Sequence, residues 1–546
     1  MGKLLLIGLS FTLLRADDHW LSFQAGPIEV ATNAGESAGR EALNHLEQLR
    51  YTLGTTLGKP ELTSTWPIRI IVVKPGKNVQ VLPQVKLARD SYVASVTAVG
   101  TQTTFDVARI LIDENAGPLP ISIDTGLPQL FSTLDVEGTH VTLGAKPAQT
   151  TRDWARLHLL SVDPAYSGRL RVLIKNLQLG VDPEPAYKNA FEKTPEQIEA
   201  QLNRYVEAGQ YGTVALNSKP LDPRRQLHPK EMDADVVNVL LADNLLAHNA
   251  PEVRAAYEAI LRAKPDSPQA LEGLGRYEDA LKAGSKSARA AVEAAKLASD
   301  ETQKKAYLQK AIELNPKWPE PQVQLAHLET SAARKLAAMK AAAQLAPRNS
   351  GYWQELAHLQ ENAGLFIDSA KSWAAAERAA QTPTEREQIH QARLSTEQAR
   401  LDAQDAARRA EIRKKEQEIE TLKEKALTDI RTFEAKANAK ASEGQAPLDP
   451  NQKLEWYKEQ EKPNLAGALL QVDCLGQKAR LRVQGADHSV QQFLVPDAKS
   501  VVIKGGGELA LGCGVQKPPR SVIVQYDKKA DKKLGTVGEV TEVDFR

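Results

Sequence analysis

Side chains with metal-binding or nucleophilic chemistry are few in this sequence and widely spaced. Ten histidines are scattered along 546 residues and none lies four residues from another, so no single helical turn offers two imidazoles to one metal ion. The two cysteines, Cys474 and Cys513, each close an alternating apolar segment, with no CxxC partner and no histidine pair nearby. That pattern argues against zinc and leaves either a disulfide or two buried free thiols. Lys504-Gly505-Gly506-Gly507 precedes a strand pattern rather than a helix, so it reads as a hairpin turn and not as a phosphate cradle. No hydroxyl or thiol has a candidate base beside it in sequence. Seventy basic and 69 acidic residues give a net charge of +1, which leaves no electrostatic footprint for nucleic acid or an anionic membrane.

These groups sit on a chain organised around its middle, residues 233–380, where apolar side chains recur with helical spacing. Within 350–380, Trp353, Leu356, Ala357, Gly364, Phe366, Trp373 and Ala376 take the large, small and turn positions of a helix-turn-helix unit. Large side chains fill the groove between paired helices, small ones let the backbones approach, and glycine supplies the turn. Leu314-Asn315-Pro316 and Leu345-Ala346-Pro347 each close an alanine-rich helix and open the next, as Ala263-Lys264-Pro265 does earlier. Proline stops one helix and starts another. These units resemble tetratricopeptide repeats. Earlier members over 236–263, 267–298, 301–314 and 319–345 bring the expected count to about four helix pairs, above the roughly three that a stable stack needs.

The chain opens with Met1-Gly2-Lys3, an apolar run over 4–14 and Ala16 before Asp17-Asp18. A charged start, a short apolar stretch and a small residue at the break make a secretory signal peptide over 1–16, against an ordinary buried N-terminal segment. The run of about eleven residues is too short for a bilayer, which takes roughly twenty, and no transmembrane segment is expected in the mature chain.

Residues 17–219 follow. Phe23, Ile28 and Val30 read as a strand pair, Ala42, Leu46, Leu49 and Leu53 as one helix face, and Ile68 to Val73 as a strand. Strand, helix, strand predicts an α/β unit. Glu29-Val30-Ala31-Thr32-Asn33, Leu46-Glu47-Gln48-Leu49-Arg50 and the run from Leu119-Pro120 to Gly126-Leu127 resemble the front of a peptidase-MA-like (gluzincin) domain, which secreted bacterial proteins fuse to tetratricopeptide repeats. The resemblance implies that an active relative carries two histidines four residues apart, a glutamate after the first, and a later carboxylate ligand before a Gly-Leu pair. Here the helix positions read Phe105-Asp106-Val107-Ala108-Arg109, and the later carboxylate is Asp124. One arginine and one carboxylate cannot make a tetrahedral zinc site, and the downstream His140 and His158 do not restore it. The expectation is a scaffold that has lost its chemistry, with no catalytic residue, metal or cofactor. An unrelated α/β domain, with Asp106 and Asp124 as solvated or capping carboxylates, is the alternative. Tyr187, Ala190, Phe191, Ile198, Leu202 and Tyr205 continue as helical core, and 220–232, with Arg224, Arg225 and His228, reads as a linker.

Residues 383–441 are dense in Glu, Lys, Arg, Gln and Ala and predict one long helix, about 80 Å for roughly fifty-five residues. Asp405 with Arg409 and Glu411 with Lys415 are favourable i,i+4 pairs. Ile412, Ile419, Leu422, Ala426 and Phe433 trace a heptad seam that would self-associate over 405–437, while Asp405, Lys415 and Asp429 at other seam positions suit a lone charged spacer,. After a linker at 442–452 the period becomes two. Short strands at 469–474, 479–483, 491–495, 500–503, 508–513, 521–526 and 537–545 predict a small β-domain over 453–546, a barrel or a sandwich.

The fold class that follows is multidomain and mainly α: an N-terminal α/β (α+β) domain, helical repeats, a long charged helix and a small all-β domain. The leading functional expectation is an exported, non-catalytic scaffold, periplasmic or extracellular, that holds a protein or peptide partner on its repeats and binds no nucleic acid. Two others stay open: a divergent secreted hydrolase, and a structural oligomer of the cell envelope assembled through the long helix.

Overall fold

The computed structural model describes residues 19–76, 79–442, 462–497, 501–505 and 511–546. The signal segment expected over 1–16, and the linker expected over 442–452 beyond Ser442, lie outside the described residues. The fold is mixed α/β and forms two compact units that divide between Glu418 and Ile419.

The first unit begins with a hairpin, β1 (Leu21–Ala25) and β2 (Ile28–Thr32), then α1 (Glu36–Leu57), β3 (Ile68–Val72), β4 (Leu82–Leu87) and β5 (Tyr92–Val96). β2, β3 and β5 run parallel, and their nearly continuous apolar sequences are those of strands covered on both faces. α1 covers one face with Leu43, Leu46, Leu49 and Leu53, all fully buried. It lies so near β1 that a Cβ at Gly39 would come within 2.3 Å of Phe23, which leaves room for glycine alone. The same core continues through α2 (Thr101–Asn115), α3 (Ile121–Phe131), β6 (Asp135–Glu137), β7 (His140–Leu143), α4 (Arg152–Val162), α5 (Leu170–Gln178), α6 (Pro183–Phe191), α7 (Pro195–Ala208) and β8 (Val214–Leu216). β6, β7 and β8 form a second sheet. Its strands of three or four residues are too short for alternation to register in the sequence.

Residues 220–232 are not a free linker. They carry α8 (Pro223–Gln226) and β9 (Lys230–Glu231), which pairs with β1 at the edge of the main sheet, and Leu221 and Leu227 are buried in the domain core. Two leucines among prolines and charges give no periodicity to read.

Ten helices follow as consecutive pairs: α9 (Ala234–Ala247) with α10 (Val253–Ala263), α11 (Pro268–Gly273) with α12 (Tyr277–Lys282), and α13 (Ala288–Leu297) with α14 (Glu301–Leu314). α15 (Glu320–Leu328) with α16 (Ala332–Leu345), and α17 (Ser350–Asn362) with α18 (Phe366–Ala379), complete the array, and each helix packs on the next in sequence. That makes five pairs where about four were expected. The stretch read as one unit over 267–298 holds three helices, because Ser287 caps a new one by accepting the Ala290 amide,. In the last pair Leu356, Ala357, Trp373 and Ala376 are buried, Gly364 turns the chain at φ +73°, and Phe366 opens α18. Trp353 donates its indole N–H to the Pro347 carbonyl at 3.1 Å.

The long helix, α19 (Pro383–Ser442), has sixty residues. Its start closes the array: Ile389 and Thr396 are buried, and Glu361 accepts hydrogen bonds from Trp373 Nε1 at 2.8 Å and from Thr396. Those bonds, with His358 beside them, hold the Glu361 carboxyl below its usual range against the opposing effect of burial,. Among the described residues no helix is long and apolar enough to cross a membrane.

The second unit contains β10 (Asn464–Leu475), β11 (Lys478–Gly485), β12 (Val490–Val495), β13 (Val502–Lys504), β14 (Gly514–Asp527) and β15 (Gly538–Phe545). The order β12-β11-β10-β14-β15-β13, with β12 also pairing to β15, closes the sheet into a barrel around Leu469, Leu481, Phe493, Val524 and Val543,. Of the strand expected over 508–513, residues 508–510 lie outside the described residues; ladder pairing with β10 begins at Gly514, after Cys513. Cys474 and Cys513 form a disulfide there, with 5.7 Å between their Cα atoms.

Candidate functional site

Of the four positions taken from the gluzincin resemblance, Arg109 and Asp124 meet at a distance of 3.9 Å, while Asp106 turns to β4. Phe105 and Asp106 lie in the first half of α2. Asp106 accepts the Val85 amide of β4 at 2.8 Å and the Gln102 side chain at 3.0 Å, so it fastens the helix to the edge strand rather than capping a helix or standing in solvent. Burial pushes its carboxyl up,. Asp124, on α3, is only 5% exposed and bonds to Arg348, which reaches it from the loop between α16 and α17. Arg109 stands 3.9 Å from the same carboxylate and 2.9 Å from Asp113, which lies 3.6 Å from Arg348.

Two guanidiniums and two carboxylates therefore neutralise one another at the mouth of a cleft of about 520 Å³. A zinc ion does not fit this donor set, because it would meet two fixed positive charges and too few ligands. Among the described residues no group of three or more His, Cys, Asp or Glu is placed to hold a metal. His158 is a core residue: it is fully buried, with Nε2 at 2.9 Å from the Gly144 carbonyl and 3.0 Å from that of Gly212, and Nδ1 at 2.7 Å from the Tyr205 hydroxyl. Two carbonyls at Nε2 require the proton there, so Tyr205 donates to Nδ1, and burial lowers the imidazole pKa,. His140 begins β7 at the surface.

Arg348 was not visible as a site residue in the sequence, although it follows the helix stop Leu345-Ala346-Pro347. The stop before it, Leu314-Asn315-Pro316, behaves alike. Asn315, beside Pro316, donates to the Thr65 carbonyl at 3.0 Å, and Trp318 meets Trp66 edge to face with centroids 5.1 Å apart. Two of the loops that join one helix pair to the next thus seat the array on the α/β domain.

At the first pairs the contact is apolar, through Val237, Leu240 and Ala247, and ionic, beside a cleft of about 260 Å³ that Arg89, Asp90 and Asp243 help to line. Arg89 is enclosed by Asp243 at 3.3 Å, Asp90 at 3.4 Å and Glu272, with the Asp243 and Glu272 side chains 1% and 2% exposed. Tyr257 donates to Asp243 at 2.6 Å and Ser285 to Glu272. Burial pushes both carboxyls up while Arg89 pulls them back; the balance for each stays above its usual range. Nearby, Asn244 donates to Ser95 at 3.0 Å.

At the last pair the contact is open. A cleft of about 500 Å³ lies between the turns 118–120 and 177–183 of the α/β domain and the helices α18 and α19, with Arg378, Arg386 and Arg393 on its wall. Arg393 is 3.3 Å from Glu377, which His390 also meets at 3.0 Å. Arg378 and Arg386 make no ion pair among the described residues.

No family model matches this chain, and no curated protein does. Among solved structures, the chain is similar to the crystal structure of MamA at 18% identity and TM-score 0.23, over 27% of this chain and 91% of that one. It is similar to YrrB, described as a TPR protein with an unusual peptide-binding site, at 17% identity and TM-score 0.24, over 29% and 92%. A third likeness is to a thermophilic TPR protein in Thermus thermophilus, at 18% identity and TM-score 0.20, over 30% and 98%. At such scores these likenesses say nothing of activity, and the paired helices stand on their own packing.

Proposed function

We propose that this chain is a non-catalytic scaffold, exported from a bacterial cell to the periplasm or beyond, that holds a protein or peptide partner on its helix array. The observation that carries this reading is the stack of five helix pairs, since stacked pairs build a long surface whose recognition needs no reacting group. The engagement of Asp106 and Asp124 in structural bonds supports the non-catalytic part. The Cys474–Cys513 disulfide supports export, because such bonds persist in oxidising compartments,. Removing 233–380 would strip the cover from Trp66 and Ser95, so point substitutions make the better test. A photo-crosslinking residue is placed singly at His327, His358 or Lys371 on the array, and at Lys529 on the barrel, in the native envelope fraction. One defined partner captured from array positions alone is the expected result; capture of nothing, or of the protein itself only, overturns the reading.

A second reading, a structural oligomer built through 405–437, has one observation in its favour. Ile412, Ile419, Leu422, Ile430 and Phe433 are all exposed on α19, Phe433 at 78%, and their spacing of seven, three, eight and three keeps them on one side of the helix. Such a row suits a helical partner. Sedimentation equilibrium separates the cases: an oligomer that Ile419→Glu/Ile430→Glu dissociates supports it, and a monomeric parent chain sinks it.

A further inference from the structure

The cleft at the far end of the array combines three properties that fit one class of ligand. First, its cations are uncommitted: Arg378 and Arg386 have no carboxylate partner among the described residues, and of the two acids in the lining Glu377 is already engaged by Arg393 and His390. Only Asp182 opposes them. Second, the seat is rigid. Gly180, at φ +81°, lies under the Arg378 side chain so closely that a Cβ there would come within 2.5 Å of Arg378 Cδ, and Gln178 ties the same turn to the Gly117 amide at 2.9 Å and the Leu57 carbonyl at 3.2 Å. Third, the facing wall is apolar, with Leu119, Leu177 and Val181 between prolines. An inorganic anion would use the guanidiniums and leave that wall bare. A chain that alternates carboxylates with apolar side chains would use both, and about 500 Å³ is within the usual range of ligand clefts,.

We propose that this cleft binds an acidic, partly apolar peptide segment of a partner protein, its carboxylates on Arg378 and Arg386 and its apolar side chains on Leu119 and Val181. The inference rests on the scaffold reading in that the partner is a polypeptide.

The test uses the full chain and a capped, fluorescein-labelled peptide of alternating glutamate and leucine, read by anisotropy. The peptide is expected to bind, to bind more weakly as salt is raised, and to lose about tenfold or more in affinity in Arg378→Glu/Arg386→Glu. Both arginines are exposed, so the fold is expected to hold, and Arg378→Gln/Arg386→Gln gives a milder check of the same loss. Arg254→Glu, at an 83% exposed side chain on α10, leaves binding unchanged. Unaltered binding in the double variant, or equal displacement by inorganic phosphate, overturns the assignment. If the acidic peptide fails, whether or not a glutamine–leucine or lysine–leucine peptide binds, the cleft assignment falls, and the scaffold reading is decided separately by crosslinking from the array positions.

Discussion

At the start of the helix array Arg89 is sealed among Asp90, Asp243 and Glu272, whereas at its end Arg378 and Arg386 look into an open cleft and engage no acid among the described residues. The same residue type thus does opposite work on one interface. Where the guanidinium is enclosed, its charge is consumed in holding two parts of the fold together. Where it is exposed, its charge contributes little to stability and remains free for a ligand.

The largest effect is expected from breaking the sealed end. Arg89→Met should cost about 3–5 kcal/mol in urea unfolding, because the buried carboxylates lose their counter-ion. The sign of its pH dependence follows from Asp243 and Glu272, whose folded pKa values lie above their ordinary ones. Their neutral forms favour the folded state, and that contribution is lost as pH rises through the raised values. The deficit of Arg89→Met should therefore shrink on acidification. Arg89→Met/Asp243→Leu should recover part of it at neutral pH, and a double variant no more stable than the single would show that the charges are not the cause.

A half-buried imidazole responds in the opposite direction and must be separated from the joint. His45, 3.1 Å from Thr104 on α2, is lowered by burial to about 4 from an ordinary 6.5. It stays neutral in the fold while the unfolded chain takes up a proton, so stability falls as pH drops from 6.5 towards 4,. The loss is at most about 3 kcal/mol, reduced because the ring keeps some exposure. Thermal melts of His45→Gln across that window should be flatter than the parent's; parallel curves would refute the assignment.

Between the two ends, Arg348→Ala should cost about 1–3 kcal/mol by leaving buried Asp124 with the more distant Arg109 alone,, with Asp124→Asn restoring part of the loss in chemical denaturation. The smallest effect is expected at the open end, where Arg378→Glu/Arg386→Glu should shift stability by no more than about 0.5 kcal/mol. A larger loss there would mean that the two ends are not different in kind.

The paired helices were legible in the sequence because Trp353, Gly364 and Trp373 do their work within thirty residues of one another, and so were the alternating strands of the β-domain; its closure into a barrel rather than a sandwich was not, because it depends on the distant pairing of β12 with β15. The split of 267–298 was not, since α11 and α12 have six residues each, less than two turns of pattern. The joint was invisible for a different reason. Arg89 and Glu272 are 183 residues apart, and nothing local marks either as buried. Asp106 and Asp124 could be aligned to a motif by sequence, but what they bond to, Val85 in one case and Arg348 in the other, depends on where the edge strand and the fourth inter-pair loop arrive.

The seating of inter-pair loops on the α/β domain sets this array apart from open solenoids, in which each unit touches only its neighbours. An open array tolerates the gain or loss of a unit, because nothing outside it counts them. Here Asn315 must arrive at Thr65 and Arg348 at Asp124, so inserting or deleting one helix pair would carry every later loop past its mark. The α/β domain acts as a template of fixed length, and the number of repeats is a property of its surface as much as of the repeats themselves.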